Sequence, residues 1–197
     1  YITTRSMTRK ADYYRIVAAE NNTTIKFNGF SGTNVFTLNK GKYKDLALSY
    51  TTYISSDKPI SIAQFAVSYK YDTIIGDPFM IMLNSNEKFI KDVNFNAFLQ
   101  DTIKDVYVNV VAKTSSTSLT LLDGINISSY FKQLPYDKNC GYSIAQIKLK
   151  EGFHNLKSDS GLFAYVYGFG YADAYGYSAG CNNYNNDNTF YILNKKE

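Results

Sequence analysis

Alternation of apolar and polar positions dominates this chain. The segment TTIKFNG (23–29) alternates and ends in Asn-Gly, a favoured two-residue turn. NVFTLNKG (34–41) follows at hairpin distance. In KPISIAQFAVSY (58–69), Ile60, Ile62, Gln64 and Ala66 share one face, and Ser61, Ala63, Phe65 and Val67 share the other. That mixed pattern predicts a strand covered on both sides. DVYVNVVA (105–112), TSLTLLDG (117–124), YSIAQIKL (142–149) and GLFAYVYGFG (161–170) are further predicted strands, rich in β-branched and aromatic residues. In the last of these, Phe163, Tyr165, Tyr167 and Phe169 fall on one face. Leu162, Ala164, Val166, Gly168 and Gly170 fall on the other, where small residues admit a close second layer. Only NEKFIKDVNFNAFLQ (86–100) predicts a helix, a short one, because Phe89, Val93 and Phe98 recur near helical spacing.

The chain also repeats itself. YRIVAAENNTTIKFNG (14–29) resembles VNVVAKTSSTSLTLLDG (108–124), LNKG (38–41) matches LKEG (149–152), and ISSDKPISIAQFAV (54–67) matches LKSDSGLFAYVYGF (156–169). The same features occur twice in the same order. The expected fold is therefore all-β, two similar antiparallel β-sandwich-like units packed in tandem. The first unit with a connecting segment spans 1–104. The second, with an aromatic and Asn-rich C-terminal segment, spans 105–197.

Composition narrows the function. Of 197 residues, 45% are hydrophobic, enough for a real core, and only 19% are charged. The polar surface must then come from Asn, Ser, Thr and Tyr hydroxyls, a profile that suits an extracellular β-protein. The net charge of +4 is spread over scattered lysines, whereas a nucleic-acid binder concentrates its charge on one face. No apolar run is long enough for a membrane-spanning helix. The chain opens on Tyr1 rather than Met, which reads as a mature form or a fragment.

Catalytic signals are thin. His154 is the sole histidine, and no Cys or carboxylate cluster with metal-ligand spacing surrounds it. A Cys140–His154 pair or a triad around His154 is a weaker reading than a structural one. No nucleophile elbow, dinucleotide fingerprint or P-loop occurs, so neither a catalytic residue nor a cofactor nor a metal is expected. Asp57 and Asp159 sit in turns before strands, where Asp caps backbone donors. Gly-Asp-Pro-Phe (76–79) places Phe79 where the self-cleaving phrase of von Willebrand D domains has His, so a plain turn is expected. Cys140 and Cys181 predict a disulfide closing a loop of about 40 residues, worth roughly 3–4 kcal/mol. Unpaired thiols are the other reading. Asn21, Asn22 and Asn126 head glycosylation sequons. Tyr171, Tyr175, Tyr177 and Tyr184 are the candidate ligand-binding residues, presented on loops where glycines release the backbone. The equally weighted structural reading packs these rings onto the sandwich end.

YRIVAAENNTTIKFNG, LNKGKY, YISSDKPISIAQFAVS, GDPFMIML, GYSIAQIKLKEGFHNL and FAYVYGFGYADAYGYSAG, in that order, resemble the IgGFc-binding protein N-terminal domain family over roughly residues 12–181. Ser178 stands where that family commonly has Pro, and both cysteines flank the family phrases as a local addition. The resemblance implies a secreted or cell-surface, non-catalytic adhesion, binding or structural module. Its partner would be a protein or glycan ligand, another domain of a larger surface protein, or a second copy. A carbohydrate-binding module using exposed tyrosines, or a subunit of an extracellular fibre or filament, is the alternative.

Overall fold

A computed structural model of the chain describes residues 1–182. It is an all-β protein of antiparallel sheets. The strands run in chain order β1 (Ile2–Thr3), β2 (Asp12–Ala18), β3 (Thr23–Gly29), β4 (Gly32–Leu38), β5 (Tyr43–Leu48), β6 (Thr52–Ser56), β7 (Ile60–Ala66) and β8 (Met80–Met82). After them come β9 (Ile90–Ala97), β10 (Ile103–Lys113), β11 (Leu121–Leu122), β12 (Ile125–Asn126), β13 (Lys132–Gln133), β14 (Tyr142–Leu149), β15 (Gly152–Gly170) and β16 (Asp173–Ser178). One helical turn, α1 (Tyr69–Asp72), precedes β8.

In the first half, strands ordered β1-β6-β3-β4 face strands ordered β5-β2-β7-β8. In the second half, β15 pairs with β10 and β16 through its C-terminal part, and with β9 and β11 through its N-terminal part. The switch falls at Gly161, whose φ of 83° suits glycine and where a Cβ would lie 2.8 Å from Phe89 Cβ. A register shift between Lys157 and Leu162 marks the bend. Strand by strand, β14-β10-β15-β16 repeats the pairing order of β5-β2-β7-β8, and β9-β15-β11-β12 repeats that of β1-β6-β3-β4.

Two apolar clusters fill the molecule. Val93, Phe95 and Ala97 of β9 pack against Val106, Val108 and Val110 of β10 and Leu162, Ala164 and Val166 of β15. The aromatic face of β15, Phe163, Tyr165, Tyr167 and Phe169, points the other way, into a cluster with Tyr14, Ile16, Ile25, Ile54 and Ile62 of the first half. Both faces of this strand are therefore buried, and the two-face split read from the sequence holds. Tyrosine brings a polar tip into that core; the Tyr165 and Tyr167 hydroxyls find partners, whereas the Tyr14 hydroxyl is buried without one. Tyr165 Oη accepts from Asn84 N at 2.9 Å. Tyr167 Oη accepts from Met7 N and donates to Asn109 Oδ1, both at 2.8 Å.

Four local expectations change. Residues 90–97 form strand β9 rather than a helix, because the alternating Val93, Phe95 and Ala97 bury together once β15 supplies backbone partners. Residues 114–119 form a 3-10 helix, and only Leu121–Leu122 of the expected 117–124 strand are extended. There Ser116 and Thr117 hydroxyls donate to the Lys113 and Thr114 carbonyls at 3.0 Å, competing with extended backbone. Strand β7 is covered on one side only. Its Ile60, Ile62, Gln64 and Ala66 are buried, Ser61 is exposed, and Ala63 and Phe65 are half-exposed. Finally, residues 173–178 are strand rather than loop.

Candidate binding cleft

The hairpin joining β15 to β16 turns at Tyr171 and Ala172, between the paired residues Gly170 and Asp173. Ala172 takes a φ of 50° to close it. The backbone here lies hard against the start of β10: a Cβ on Gly170 would stand 1.9 Å from Thr102 O, so only glycine fits. Tyr171 N donates to that same carbonyl at 3.2 Å, and Thr102 Oγ1 donates to Asp173 Oδ2 at 2.8 Å. The turn is thus fixed at its base while the Tyr171 side chain remains 77% exposed.

Tyr171 borders a cleft of about 550 Å³. Its lining comes from Thr8, Ile74 and Ile75, from Asp101, Thr102, Lys104, Asp105 and Tyr107 around the start of β10, and from Phe169 and Gly170 at the end of β15. Beneath it, Arg9 is fully buried. Its guanidinium donates to Asp72 Oδ1 at 3.0 Å, to Ile74 O at 2.6 Å and to Ile75 O at 3.3 Å, and it lies 4.3 Å from the centre of the Phe169 ring. Gly76 has no room for a side chain against Arg9. The 74–76 segment is thereby held on a charged anchor, so Ile75, 58% exposed, is presented from a fixed backbone. Asp105 pairs with Lys148 at the rim, which raises the Lys148 pKa above its ordinary value. An exposed aromatic ring, an exposed aliphatic side chain and two carboxylates around one opening can stack on a planar or ring-shaped group and accept hydrogen bonds from it.

The other candidate tyrosines are placed differently. Tyr175 and Tyr177 lie on β16, half-buried, with their rings 6.2 Å apart and 21° from parallel. Tyr175 stacks on Phe98 at 4.0 Å, and its hydroxyl accepts from Phe98 N at 3.2 Å and donates to Phe98 O at 3.1 Å. Desolvation pushes its pKa up to about 12. Tyr177 Oη donates to Asn96 O at 2.6 Å. Both rings thus tie β16 to the end of β9. Tyr184 lies outside the described residues. Of the three candidates among the described residues, Tyr171 alone lines the cleft. Thr8, Ile75 and Asp101 carry no periodicity or motif that marks them, and Asp105 is marked only as the start of the 105–112 strand.

His154 is held at both ring nitrogens. Its Nδ1 meets Asp123 Oδ2 at 2.7 Å, its Nε2 meets Lys150 O at 3.0 Å, and it stacks on Phe95 at 5.5 Å. With an acceptor at each nitrogen, the ring serves as a clasp between β15 and the turn before β12. Burial would raise the Asp123 pKa, but hydrogen bonds from His154 and Asn155 N outweigh it and hold the carboxyl below its ordinary value. Among the described residues no group of three or more His, Cys, Asp or Glu is arranged to hold a metal ion. Cys140 and Cys181 are not joined to one another. The Cys140 thiol points at Tyr142 O, and burial raises its pKa. Asn21, Asn22 and Asn126 are all exposed, with Asn126 Nδ2 donating to Ser118 O at 2.6 Å. No helix among the described residues is long and apolar enough to cross a membrane.

Comparison with known proteins agrees with the family read from the sequence, and the match ends within the closing aromatic phrase, at residue 168. No curated protein and no solved structure matches this chain. The family model for IgGFc binding protein matches residues 1–168, from the first strand into the aromatic part of β15. The chain belongs to the IgGFc-binding protein family, a family of binding domains.

Proposed function

We propose that this chain is a non-catalytic adhesion or binding module working outside the cell or at its surface, and that it takes its ligand at the cleft beside Tyr171. Two similar β-units, read from the sequence as residues 1–104 and 105–197, form the scaffold. The shared pairing order of the two halves supports the duplication but puts β9 with the second unit, so the boundary falls between β8 and β9. The observation that carries the reading is the contrast between Tyr171 and its neighbours. Tyr165, Tyr167, Tyr175 and Tyr177 all commit their hydroxyls to backbone or side-chain partners, whereas Tyr171 stands 77% exposed over a floor fixed by Arg9 and Asp72. A rigid aromatic presented from a fixed base loses little side-chain entropy on binding.

The family supports a protein ligand. A glycan is the second reading. It is favoured by Asp101, Asp105 and the hydroxyls of Thr8 and Thr102 around one opening, which would accept and donate to sugar hydroxyls while Tyr171 stacks on the ring. The same extracellular setting would allow Asn126 and one of the overlapping Asn21 and Asn22 sequons to be used and the two cysteines to bond. Asn182, next to Cys181, donates to Lys88 O, and Phe89 meets the Tyr142 ring beside Cys140 at 5.9 Å, so both cysteines approach one segment.

The test is binding of wild type and Tyr171→Ala to immobilised immunoglobulin Fc and to a glycan array. Tyr171→Ala should fold normally and lose about tenfold or more in affinity for whichever probe wild type binds. Unchanged binding by the variant would remove the cleft from the reading. No binding of either probe by wild type would remove Fc and the arrayed glycans as ligands.

A further inference from the structure

Strand β4 ends the row β1-β6-β3-β4, and the direction of its backbone groups follows from the register. Residues Phe30 and Ser31 form a two-residue loop between the paired Gly29 and Gly32. On β3, Thr24 O accepts from Asp57 N at 3.2 Å and Asn28 O accepts from Thr52 Oγ1 at 2.6 Å, both on the β6 side. The odd-numbered residues of β3 therefore bond to β4. Their partners Gly32, Asn34, Phe36 and Leu38 point back at them. That leaves the N–H and C=O of Thr33, Val35 and Thr37 aimed outward, three donors and three acceptors along an exposed edge.

The edge is unguarded. Natural edge strands are blunted by charge, proline, a bulge or short length. β5 carries Lys44 and Asp45, β9 carries Lys91 and Asp92, β13 carries Lys132, and β8 has three residues. β4 has seven residues, no charge, no proline and an unbroken register.

We infer that β4 pairs edge to edge with β4 of a second copy of this chain, about a two-fold axis at Val35. Antiparallel pairing in that register sets Val35 opposite Val35, Thr33 opposite Thr37 and Asn34 opposite Phe36. The outward groups of both copies then meet in six backbone hydrogen bonds, with β-branched cross-strand pairs and no like charges facing. Lys26, which stands opposite Val35 on β3, is the nearest charge on this sheet. The two Lys26 side chains start three strand spacings apart, about 14 Å, beyond the screening length at physiological salt. The product is one continuous sheet across two molecules. It involves no residue of the Tyr171 cleft and stands apart from that proposal.

Sedimentation velocity over a concentration series, from about 10 micromolar to about 1 millimolar, tests the pairing in the range expected for a single strand pair. Wild type should shift from monomer toward dimer. Val35→Lys should stay monomeric, at least tenfold weaker, because it opposes two ammonium groups at the axis. Val35→Thr should pair like wild type. Amide hydrogen exchange of wild type gives a second reading that needs no variant: Thr33, Val35 and Thr37 should gain protection only at high concentration. A monomer throughout, equal pairing by Val35→Lys, or unprotected amides at those three positions under conditions that give dimer would each overturn the inference. Tyr171→Ala should dimerise unchanged, which separates failure here from failure of the cleft.

Discussion

Asp12 offers the sharpest check on the packing between the two halves. It opens β2, is fully buried, and sits where the N-terminal segment passes between the sheets. Its Oδ2 accepts from Ser6 N at 2.7 Å, Ser6 Oγ at 2.8 Å and Gln64 Nε2 at 2.6 Å. Desolvation nevertheless outweighs those bonds and pushes its pKa from the ordinary 3.8 up to about 6. A carboxyl that keeps its proton longer in the folded chain makes the fold more stable at low pH. Its contribution is full below about pH 4 and is lost as pH rises toward 6. At ~1.4 kcal/mol per pH unit, that gap corresponds to about 3 kcal/mol. Asp45, Asp92 and Asp123 run the other way, since each is held below its ordinary value and loses its contribution as pH falls. They are common to any variant of Asp12 and cancel in a difference. Urea unfolding of wild type and Asp12→Asn, at steps from pH 4 to pH 8, isolates the one group. Wild type should lose up to about 3 kcal/mol relative to the variant across that window. A difference that is flat with pH, or one in which wild type gains, would refute the desolvation argument.

Two other substitutions probe the same interior. Asp72→Ala leaves the fully buried Arg9 guanidinium without its counter-ion and should cost about 3–5 kcal/mol in chemical denaturation. A loss under about 1 kcal/mol would mean that the Ile74 and Ile75 carbonyls carry the guanidinium by themselves. Tyr167→Phe removes a hydroxyl that serves Met7 N and Asn109 Oδ1 together, and should cost about 1–3 kcal/mol with no change in the far-ultraviolet spectrum.

The strands that read cleanly from the sequence are those whose alternation is enforced by one buried face. β3 and β14 have the limits that the pattern gave, and the split of β15 into aromatic and small faces was visible in Phe163 to Gly170. The 86–100 segment misled because Phe89, Val93 and Phe98 happen to fall near helical spacing. The partner that makes β9 a strand lies about sixty residues later, beyond any local window. The sequence of β16 suggests a loop because Gly176 looks like a breaker. In the fold, Gly176 gives Phe79 room, since a Cβ there would lie 2.5 Å from that ring. The first eleven residues gave no pattern, yet Thr3, Thr4, Ser6 and Arg9 are all buried. They are held by Gln64, Asn109, Gln146, Tyr167 and Asp72, a polar set drawn from both halves that periodicity cannot reveal. The cleft was half legible. Tyr171 could be named as an exposed aromatic, but Thr8, Ile75, Asp101 and Asp105 meet it only through tertiary packing.

The shared pairing order of the two halves makes their differences informative. In the second half, the outer face of β14-β10-β15-β16 carries Tyr107, Asn109, Phe163, Tyr165, Tyr167 and Phe169, and the first half covers it. The corresponding face of β5-β2-β7-β8 carries Tyr13, Arg15, Ala63, Phe65, Met80 and Met82, and is largely open, with Tyr13, Met80 and Met82 each more than 40% exposed. Residue choice tracks that difference. The covered face uses rings whose hydroxyls reach buried partners. The open face interrupts its apolar rows with Arg15, which forks onto Asp45 at 2.8 Å and lies 4.2 Å from the Tyr43 ring. A charged pair at the centre of a sheet face costs little in water and would cost several kcal/mol if a second layer buried it imperfectly. The face with Arg15 at its centre is therefore built for solvent. Among the described residues, the uncharged edge of β4 and the cleft at Tyr171 lack such a charged pair at their centre.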